Sequence, residues 1–339
     1  MALKWKKGTK RRNPFRTIRW SDIRSPLQNF SVPPLARCIR GVDGGQRGPG
    51  EDEMIDAQTM LYGVIGNPVH HSLSPTIHNG AFRRLGLNAV YLAFEVKNVE
   101  EALRGIRGLG VRGVSVTIPF KTEVLPFLDK IEGLAKKVKA VNTIVNQRGK
   151  LIGYNTDWNG ALGALEEKMD LGGKRAVLLG AGGAARAIGF GLKERGLRLI
   201  VVNRSKERGQ TLSKELRCEY LPMSSLARMK AGELEADVMI NATSLGMYPR
   251  ERETPVPKEL LKEGMMVMDI VYEPLQTRLL REAKKKGCAT VDGLEMLIRQ
   301  GIAQFEIWTG RRLEMGKIRK DLRRALERGS TKTLLRNSR

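Results

Sequence analysis

The sequence of 339 residues has few cysteines, histidines and aromatic residues, and it lacks a long apolar run. Its three cysteines, Cys38, Cys218 and Cys288, lie far apart and form no C-x-x-C pair, which argues against a disulfide framework or a zinc site. The three histidines fall within residues 70–78, without the additional ligands that a histidine metal site needs. No apolar stretch approaches the roughly 18 residues of a membrane-spanning helix. We therefore predict a cytoplasmic protein with no metal and no membrane partner.

The chain has too few acidic residues to balance its basic ones, and its net charge is +24. Residues 1–59 hold 12 Lys and Arg against 6 Asp and Glu, and residues 311–339 hold 11 against 3. More than half of the excess therefore lies in the two terminal segments, where only four aromatic residues accompany it. Such basic tails are typically solvated or bind polyanions weakly. We predict no specific nucleic-acid partner; a nucleic-acid-binding module is the alternative that salt-dependent retention on RNA would support.

What the sequence does contain is a glycine-rich turn between a strand and a helix. Residues 175–180 (RAVLLG) read as a short buried strand, GAGGAA covers 180–185, and a helix-like stretch follows. A G-x-G-x-x-G/A turn lets the backbone and a helix N-terminus approach a pyrophosphate. A tight packing turn is the competing interpretation. The strand–turn–helix spacing favours a nucleotide-binding site.

The end of the next predicted strand indicates which nucleotide is bound. An NAD site places Asp or Glu there to hold the ribose 2′-hydroxyl. This chain has Asn203, Arg204 and Ser205 instead, with Arg208 one helical turn further. Two guanidinium groups without a carboxylate suit a 2′-phosphate. The pattern predicts NADP, against the alternative of two ordinary surface arginines.

Apolar strands and helices alternate through most of the chain, which predicts an α/β fold with two domains. Residues 1–59 read as a disordered basic extension. We expect a substrate-binding and catalytic domain with a mostly parallel sheet at 60–156 and a doubly wound Rossmann NADP-binding domain at 157–292. Helices at 293–328 would return toward the first domain, and 329–339 would form a basic tail.

Several local predictions within the first domain can be compared directly with the structure. Ser74 is predicted to cap a helix that starts at Pro75. A strand is expected over 113–118, with helical stretches at 121–129 and 131–139. A hairpin is expected to turn at Arg148–Gly149.

Four segments of the first domain concentrate polar side chains. Ser72 and Ser74 follow the first strand and precede a helix, a position suited to a carboxylate. Ser115 and Thr117 alternate with apolar residues and so share one strand face, and Lys121 follows them. The other two segments are Asn142-Thr143 and Asn155-Thr156-Asp157. Helix capping by Ser74 or Asp157, and a surface position for Lys121, are the competing interpretations.

Together, GNPVHHSLSP, SVTIPFK, AVNT, GYNTD, GAGGAAR, NRSKER, NATSLGM and DGLEMLIRQ resemble the shikimate dehydrogenase family, in order, over about residues 61–310. The resemblance implies reversible NADPH-dependent reduction of 3-dehydroshikimate to shikimate, in the chorismate and aromatic amino acid pathway. It makes Lys121 and Asp157 the catalytic pair. The implied substrate-binding residues are Ser72, Ser74, Thr117, Asn142, Asp157, Tyr272 and Gln300. The implied NADP-binding residues are Gly180, Ala181, Gly182, Gly183, Ala184, Asn203, Arg204, Ser205, Arg208, Thr243, Ile270 and Gly293.

One position departs from the family pattern. The family usually has Asn where this chain has Ser115, so the contact made there is open. This serine and the junction at 54–68 resemble the dehydrogenase part of bifunctional dehydroquinate dehydratase–shikimate dehydrogenases. The main alternative function is a quinate/shikimate dehydrogenase that uses NAD; a sensor without activity is disfavoured by Lys121 and Asp157. A homodimer is the candidate assembly.

Overall fold

A computed structural model describes residues 55–336, without the side chains of 325 and 327–336. Residues 1–54 of the predicted extension and 337–339 of the predicted tail lie outside the described residues. Residues 55–59 form a turn in which Asp56 Oδ1 accepts a 2.8 Å hydrogen bond from Asn88 Nδ2. Within the described range, no helix is long and apolar enough to cross a membrane.

The first sheet has six strands, and five of them run in the same direction. Its order is β2-β1-β3-β5-β6-β4, with β5 antiparallel to both of its neighbours. The hairpin turn at Arg148–Gly149 joins β5 to β6, as the sequence predicts. The strands are β1 (Met60–Gly66), β2 (Ala89–Glu95), β3 (Gly113–Val116), β4 (Lys130–Ile131), β5 (Thr143–Gln147) and β6 (Lys150–Tyr154). The helices of this part are α1 (Ser74–Arg84), α2 (Val99–Gly108), α3 (Leu134–Val138) and α4 (Asp157–Glu166).

Of the local predictions for residues 113–139, the helix at 121–129 is wrong, and the elements predicted at 131–139 and 113–118 are shorter in the structure. The stretch at 121–129 forms turns and a short 3-10 segment at Leu125–Phe127, and 131–139 is helical only in α3. Strand β3 ends at Val116, so Thr117 lies just beyond it. Pro119 explains the early end, because proline has no N–H to continue a ladder and biases the residue before it.

The second sheet is fully parallel, in the order β12-β11-β10-β7-β8-β9. With β7 numbered as the first strand and the sheet read from the β9 edge, this order is 3-2-1-4-5-6, the doubly wound dinucleotide-binding arrangement. The strands are β7 (Arg175–Leu179), β8 (Arg198–Asn203), β9 (Glu219–Pro222), β10 (Val238–Asn241), β11 (Met266–Asp269) and β12 (Ala289–Val291). The helices are α5 (Gly183–Glu194), α6 (Lys206–Glu215), α7 (Met223–Leu226) and α8 (Arg278–Lys285), with a 3-10 turn at Lys258–Leu260.

The two C-terminal helices, α9 (Gly293–Thr309) and α10 (Met315–Arg336), return to the first sheet, as predicted. Trp308 at the end of α9 donates a 3.0 Å hydrogen bond from Nε1 to the carbonyl of Ile144 in β5. Helix α9 crosses α4 closely at Gly160, where a Cβ would lie 2.6 Å from the carbonyl oxygen of Met296. The close crossing of α9 and α4 thus places side chains of α9 at the edge of the first sheet.

Candidate active site

The predicted polar segments of the first domain meet at one edge of the first sheet. Strands β1 and β3 are parallel, so the loops that follow them leave from the same edge. Strand β5 begins at that edge because Thr143 pairs with Ser115 of β3. Strand β6 ends there because Tyr154 pairs with Thr143. The segments brought together are 67–74, 117–121, 142–143 and 155–157.

Lys121 and Asp157 form a buried ion pair at this edge. The distance from Lys121 Nζ to Asp157 Oδ2 is 2.6 Å, and the side chains are 16% and 4% exposed. The backbone of Lys121 is fixed by a 2.7 Å bond from Val141 N to its carbonyl oxygen. Asp157 is the first residue of α4, and its N–H donates to Asn155 Oδ1 at 3.0 Å. Removing either charge would leave the other buried without compensation.

Asn142 connects this ion pair to the last helices. Its Oδ1 accepts a 2.8 Å hydrogen bond from the backbone N–H of Thr156, which fixes the orientation of the amide. Its Nδ2 then donates to Asp157 Oδ1 at 2.8 Å and to Gln300 Oε1 at 3.4 Å. The structure therefore joins three of the predicted site residues in one network.

The carboxylate-binding position expected at Ser72 and Ser74 has a different hydrogen-bond arrangement from the predicted one. Helix α1 begins at Ser74, with Leu73 as the preceding cap residue and no side-chain cap. Ser72 Oγ accepts a hydrogen bond from Ser74 N at 3.3 Å, so Ser72 holds the turn. The prediction that Ser74 caps this helix is wrong, because Pro75 lies within the first turn rather than opening it. Both hydroxyls nevertheless stay at the sheet edge.

Thr117 and Tyr272 are far apart in the sequence, but each lies near elements that surround the Ser72–Ser74 position. The Thr117 methyl group occupies the space beside Gly66, and its N–H donates to Ile65 O at 3.0 Å. Tyr272 packs with Leu73 against the apolar cluster beneath α1. Burial raises the pKa of the Tyr272 phenol to about 12, so it stays a hydrogen-bond donor.

The glycine-rich turn lies against Lys121. Gly180 has a φ of +113°, and a Cβ there would lie 2.9 Å from the carbonyl oxygen of Ala242, so only glycine fits. Gly182 precedes α5 without a side-chain cap, and the space around it is open. A Cβ on Gly183 would lie 3.1 Å from Lys121 Cβ. The turn thus offers free backbone N–H groups to an anion directly beside the buried lysine.

The segment that follows β8 presents two exposed cations. Asn203 Nδ2 donates to Ser205 O at 2.9 Å, and Ser205 Oγ accepts from Arg208 N at 3.4 Å. Tyr220 of β9 supports this turn by donating to Asn203 O at 3.3 Å. Within residues 55–336, the guanidinium groups of Arg204 and Arg208 make no ion pair. Their charge is therefore available to a ligand at the carboxyl end of β8.

Thr243, Ile270 and Gly293 follow β10, β11 and β12, respectively, at the same sheet edge. Thr243 Oγ1 donates to Asn241 Oδ1 at 2.7 Å. A Cβ on Gly293 would overlap the carbonyl group of Ile270, so this glycine lets α9 start close to the loop after β11. Thr243 follows the strand that borders the switch point between β7 and β10, where ligands of doubly wound sheets bind, and Ile270 and Gly293 follow the next two strands at the same edge.

Asp269 lies beneath this edge and was not predicted. It is fully buried and accepts from Asn241 Nδ2 at 3.0 Å, Val271 N at 3.0 Å and Thr277 Oγ1 at 2.7 Å. Burial raises the pKa of its carboxyl from 3.8 to about 6, although the hydrogen bonds act in the opposite direction. Asp269 thereby connects the Thr243 loop, the Ile270 loop and the start of α8.

This raised pKa predicts a pH-dependent stability. The folded protein favours the protonated Asp269 carboxyl more than the unfolded chain does. The contribution of this carboxyl to the unfolding free energy is therefore complete below about pH 4 and is lost as the pH rises through about 6. We expect the unfolding free energy of Asp269→Asn, relative to the parent protein, to rise by about 3 kcal/mol between pH 4 and pH 7. Urea unfolding at stepped pH measures this difference.

Asp129→Asn is the control with the opposite sign. Hydrogen bonds, first from Leu151 N and then from Arg107, lower the pKa of Asp129. Its stabilising contribution is therefore present above the ordinary carboxyl pKa and is lost in acid. The relative stability of this variant should fall as the pH rises, and parallel curves for the two variants would contradict the assignment.

Sequence reasoning missed Gln304, Asn241 and Asp269 as site residues, and it named Thr143 in a polar segment without assigning it a role. Gln304 Nε2 donates to both Asn142 O and Thr143 Oγ1 at 3.0 Å. Thr143 and Asn241 each lie in a segment that the sequence analysis singled out, AVNT and NATSLGM, which was the available signal. Gln304 and Asp269 stand in ordinary helix and strand patterns. In the described part of the chain, no group of three or more His, Cys, Asp or Glu could hold a metal ion.

Models of three protein domains match consecutive parts of the chain. The shikimate dehydrogenase substrate binding domain matches residues 64–144. The shikimate/quinate 5-dehydrogenase domain matches 163–295, and the shikimate 5′-dehydrogenase C-terminal domain matches 293–323. The NADP(+) shikimate dehydrogenase of Thermococcus kodakarensis is 50% identical over 270 residues, covering 78% of this chain and 97% of that protein.

Solved structures agree with this likeness over nearly their whole length. A shikimate dehydrogenase crystallised with NADP+ is 42% identical, with a TM-score of 0.75 over 81% of this chain and 98% of its own. The Thermus thermophilus shikimate 5-dehydrogenase, in complex with NADP(H) and shikimate, is 38% identical, with a TM-score of 0.72. This chain covers 100% of that structure with 79% of its own residues.

Proposed function

Because the chain belongs to the shikimate dehydrogenase family, we propose that it catalyses the reversible, NADPH-dependent reduction of 3-dehydroshikimate to shikimate. It is an NADP-dependent oxidoreductase that acts on a CH–OH group. The observation that carries this function is the buried Lys121–Asp157 pair, which lies between the polar sheet edge and the glycine-rich turn. The substrate is a small carboxylate that bears ring hydroxyls.

Residues 157–292 bind NADP. Two separate places in this range suit its pyrophosphate and its 2′-phosphate. The free N–H groups at the start of α5, beside Gly180, Ala181, Gly182, Gly183 and Ala184, suit the pyrophosphate. The exposed guanidinium groups of Arg204 and Arg208 suit the 2′-phosphate, in the turn that Asn203 and Ser205 hold. Thr243, Ile270 and Gly293 border the nicotinamide. When bound, NADPH supplies the hydride.

Residues 60–156 bind the substrate, and 293–328 complete its side of the cleft. Ser72 and Ser74 bind the carboxylate beside the N-terminus of α1, together with the protonated phenol of Tyr272. Thr117, Asn142 and Gln300 bind the ring hydroxyls. These roles agree with the position of each side chain along one sheet edge.

Lys121 acts as the proton donor. Its ammonium group donates to the oxygen of the C3 carbonyl as negative charge develops there, and it stabilises that charge. Asp157 holds Nζ at 2.6 Å through Oδ2 and contacts a neighbouring substrate hydroxyl. The carboxylate thereby holds the ammonium nitrogen in place beside the reacting oxygen.

Initial rates with two cofactors and two substrates test the proposal. We expect NADP reduction with shikimate to have the highest kcat/KM, and NAD with shikimate to be at least about 10-fold poorer, because Asn203 rather than a carboxylate ends β8. Equal rates with NAD and quinate would favour the alternative, a quinate/shikimate dehydrogenase. No reduction of either cofactor with either substrate would contradict the function.

The setting of the enzyme is part of the proposal. The widely spaced cysteines suit a reducing cytoplasm. A homodimer is the assembly we assign, with no specific nucleic-acid or membrane partner. Light scattering at working concentration tests the dimer, and retention on RNA at stepped salt tests the basic termini.

A further inference from the structure

A row of buried polar side chains lies behind Asn142 and is not used by the mechanism above. Tyr91, Ser115, Thr143 and Gln304 are each 5% exposed or less. Tyr91 OH lies 2.6 Å from Ser115 Oγ, and Ser115 Oγ lies 2.9 Å from Gln304 Oε1. Gln304 Nε2 lies 3.0 Å from Thr143 Oγ1, which is 2.8 Å from Asn142 Oδ1. The row ends at Asp157, 2.8 Å from Asn142 Nδ2.

Two backbone groups fix the direction of every bond in this row. The N–H of Thr156 donates to Asn142 Oδ1, so Nδ2 of that amide must face Asp157. The carbonyl oxygen of Asn142 accepts from Gln304 Nε2, so Gln304 Oε1 must face Ser115. Amide orientations that are often ambiguous are therefore determined here.

The hydroxyl directions follow from the amide orientations. Ser115 must donate its proton to Gln304 Oε1 and can then only accept from Tyr91. Thr143 accepts from Gln304 Nε2 and donates to Asn142 Oδ1. Burial raises the pKa of the Tyr91 phenol, so it keeps the proton that starts the row. Every donor points toward Asp157.

We propose that Tyr91, Ser115, Gln304, Thr143 and Asn142 form a one-directional hydrogen-bond chain that positions the Asp157 carboxylate for the Lys121 ammonium group. The inference rests on the proposed function. It makes Ser115 and Gln304 positioning residues, because the hydroxyl proton of Ser115 and both ends of the Gln304 amide are bonded within the protein. The serine that stands where the family usually has asparagine is thereby given a role.

The chain acts by assigning one partner to each carboxylate oxygen of Asp157. Oδ1 accepts from Asn142 and Oδ2 accepts from Lys121, so rotation of the carboxylate would break both bonds. Bonds that all point the same way polarise one another, which strengthens the last bond, onto the charged group. A break at Ser115 leaves Gln304 Oε1 without its hydroxyl donor, although Gln304 Nε2 stays bonded to Asn142 O and Thr143 Oγ1. Asn142 keeps its orientation through the Thr156 N–H, but its bond onto Asp157 loses the polarisation that the row supplies.

Ser115→Ala tests the chain directly, with Ser213→Ala as a matched control. Ser213 is also 5% exposed and donates one hydrogen bond, to Gln210 O, but it lies in α6. We expect Ser115→Ala to lower kcat for shikimate oxidation roughly 10-fold, with the NADP Kd within about 2-fold of the parent. Ser115→Thr keeps the hydroxyl and should restore most of the kcat. Ser213→Ala should retain parental kcat.

A double variant distinguishes a loss of Asp157 positioning from a general loss of packing around Ser115. Tyr91→Phe removes the first donor and should lower kcat about 2- to 3-fold in the parent, yet have no further effect in Ser115→Ala, where the chain is already interrupted. Thermal unfolding of every variant excludes those that lose the fold. Equal kcat for Ser115→Ala and Ser213→Ala would contradict the proposed hydrogen-bond chain. So would a double variant whose loss of kcat is the full product of the losses in Ser115→Ala and Tyr91→Phe. Inactivity of the parent would instead refute the proposed function.

Discussion

Replacing Lys121 with alanine should reduce kcat for shikimate oxidation by on the order of 10²-fold or more, with a much smaller change in KM. The ammonium group is needed where charge develops on the reacting oxygen, and the ground-state complex depends on it less. Water has limited access to this position, because the lysine side chain is only 16% exposed. Solvent therefore cannot fully replace the lost proton donor.

Two controls separate this loss of chemistry from a loss of structure. Lys137→Ala removes another lysine–carboxylate pair, to Glu194 at 3.0 Å, but at the exposed contact between α3 and α5. Such a surface pair contributes about 0–1 kcal/mol, so kcat and stability should stay near the parental values. Lys121→Ala should also lower the unfolding free energy, because it leaves Asp157 buried without its partner. Near-parental turnover in Lys121→Ala would exclude Lys121 as the donor.

The parts of the site that sequence could predict are those that follow strand ends. Lys121 and Asp157 follow β3 and β6 by a few residues, and the carboxyl ends of parallel strands collect at one sheet edge. Asn142 directly precedes β5, which is antiparallel and therefore begins at that same edge. The glycine turn was predictable for a similar reason, because Gly180 needs a conformation that other residues rarely adopt. In these cases a local pattern contains the information that places the side chain.

The residues that escaped prediction depend on contacts between distant parts of the chain. Gln304 reads as one polar residue of an amphipathic helix, and only the return of α9 over the first sheet brings it to Asn142, 162 residues away. Asp269 ends an apolar strand, and its partners Asn241 and Thr277 come from two other segments. The position of Ser74 failed for a smaller reason, since one residue of uncertainty at a helix start reverses which serine holds the turn.

The cofactor preference gives the second large effect. Replacing both Arg204 and Arg208 with alanine should lower kcat/KM for NADP about 10²-fold, because each arginine can donate charge-assisted hydrogen bonds to the 2′-phosphate. Two such contacts contribute about 3 kcal/mol together, and every 1.4 kcal/mol corresponds to a factor of about 10. The kcat/KM for NAD, which has no 2′-phosphate, should stay within about 2-fold of the parental value. The discrimination between the cofactors would therefore collapse.

Arg198→Ala is the matched control for this pair. Arg198 is an exposed arginine at the first position of β8, whereas Arg204 follows the last position of the same strand. It has the same charge and a similar exposure, but it lies at the sheet edge away from the nucleotide. A fall in NADP efficiency equal to that of the double variant would point to long-range attraction by the net positive charge, which added salt would screen. A loss confined to Arg204 and Arg208, and equal in low and moderate salt, requires direct contact with the 2′-phosphate.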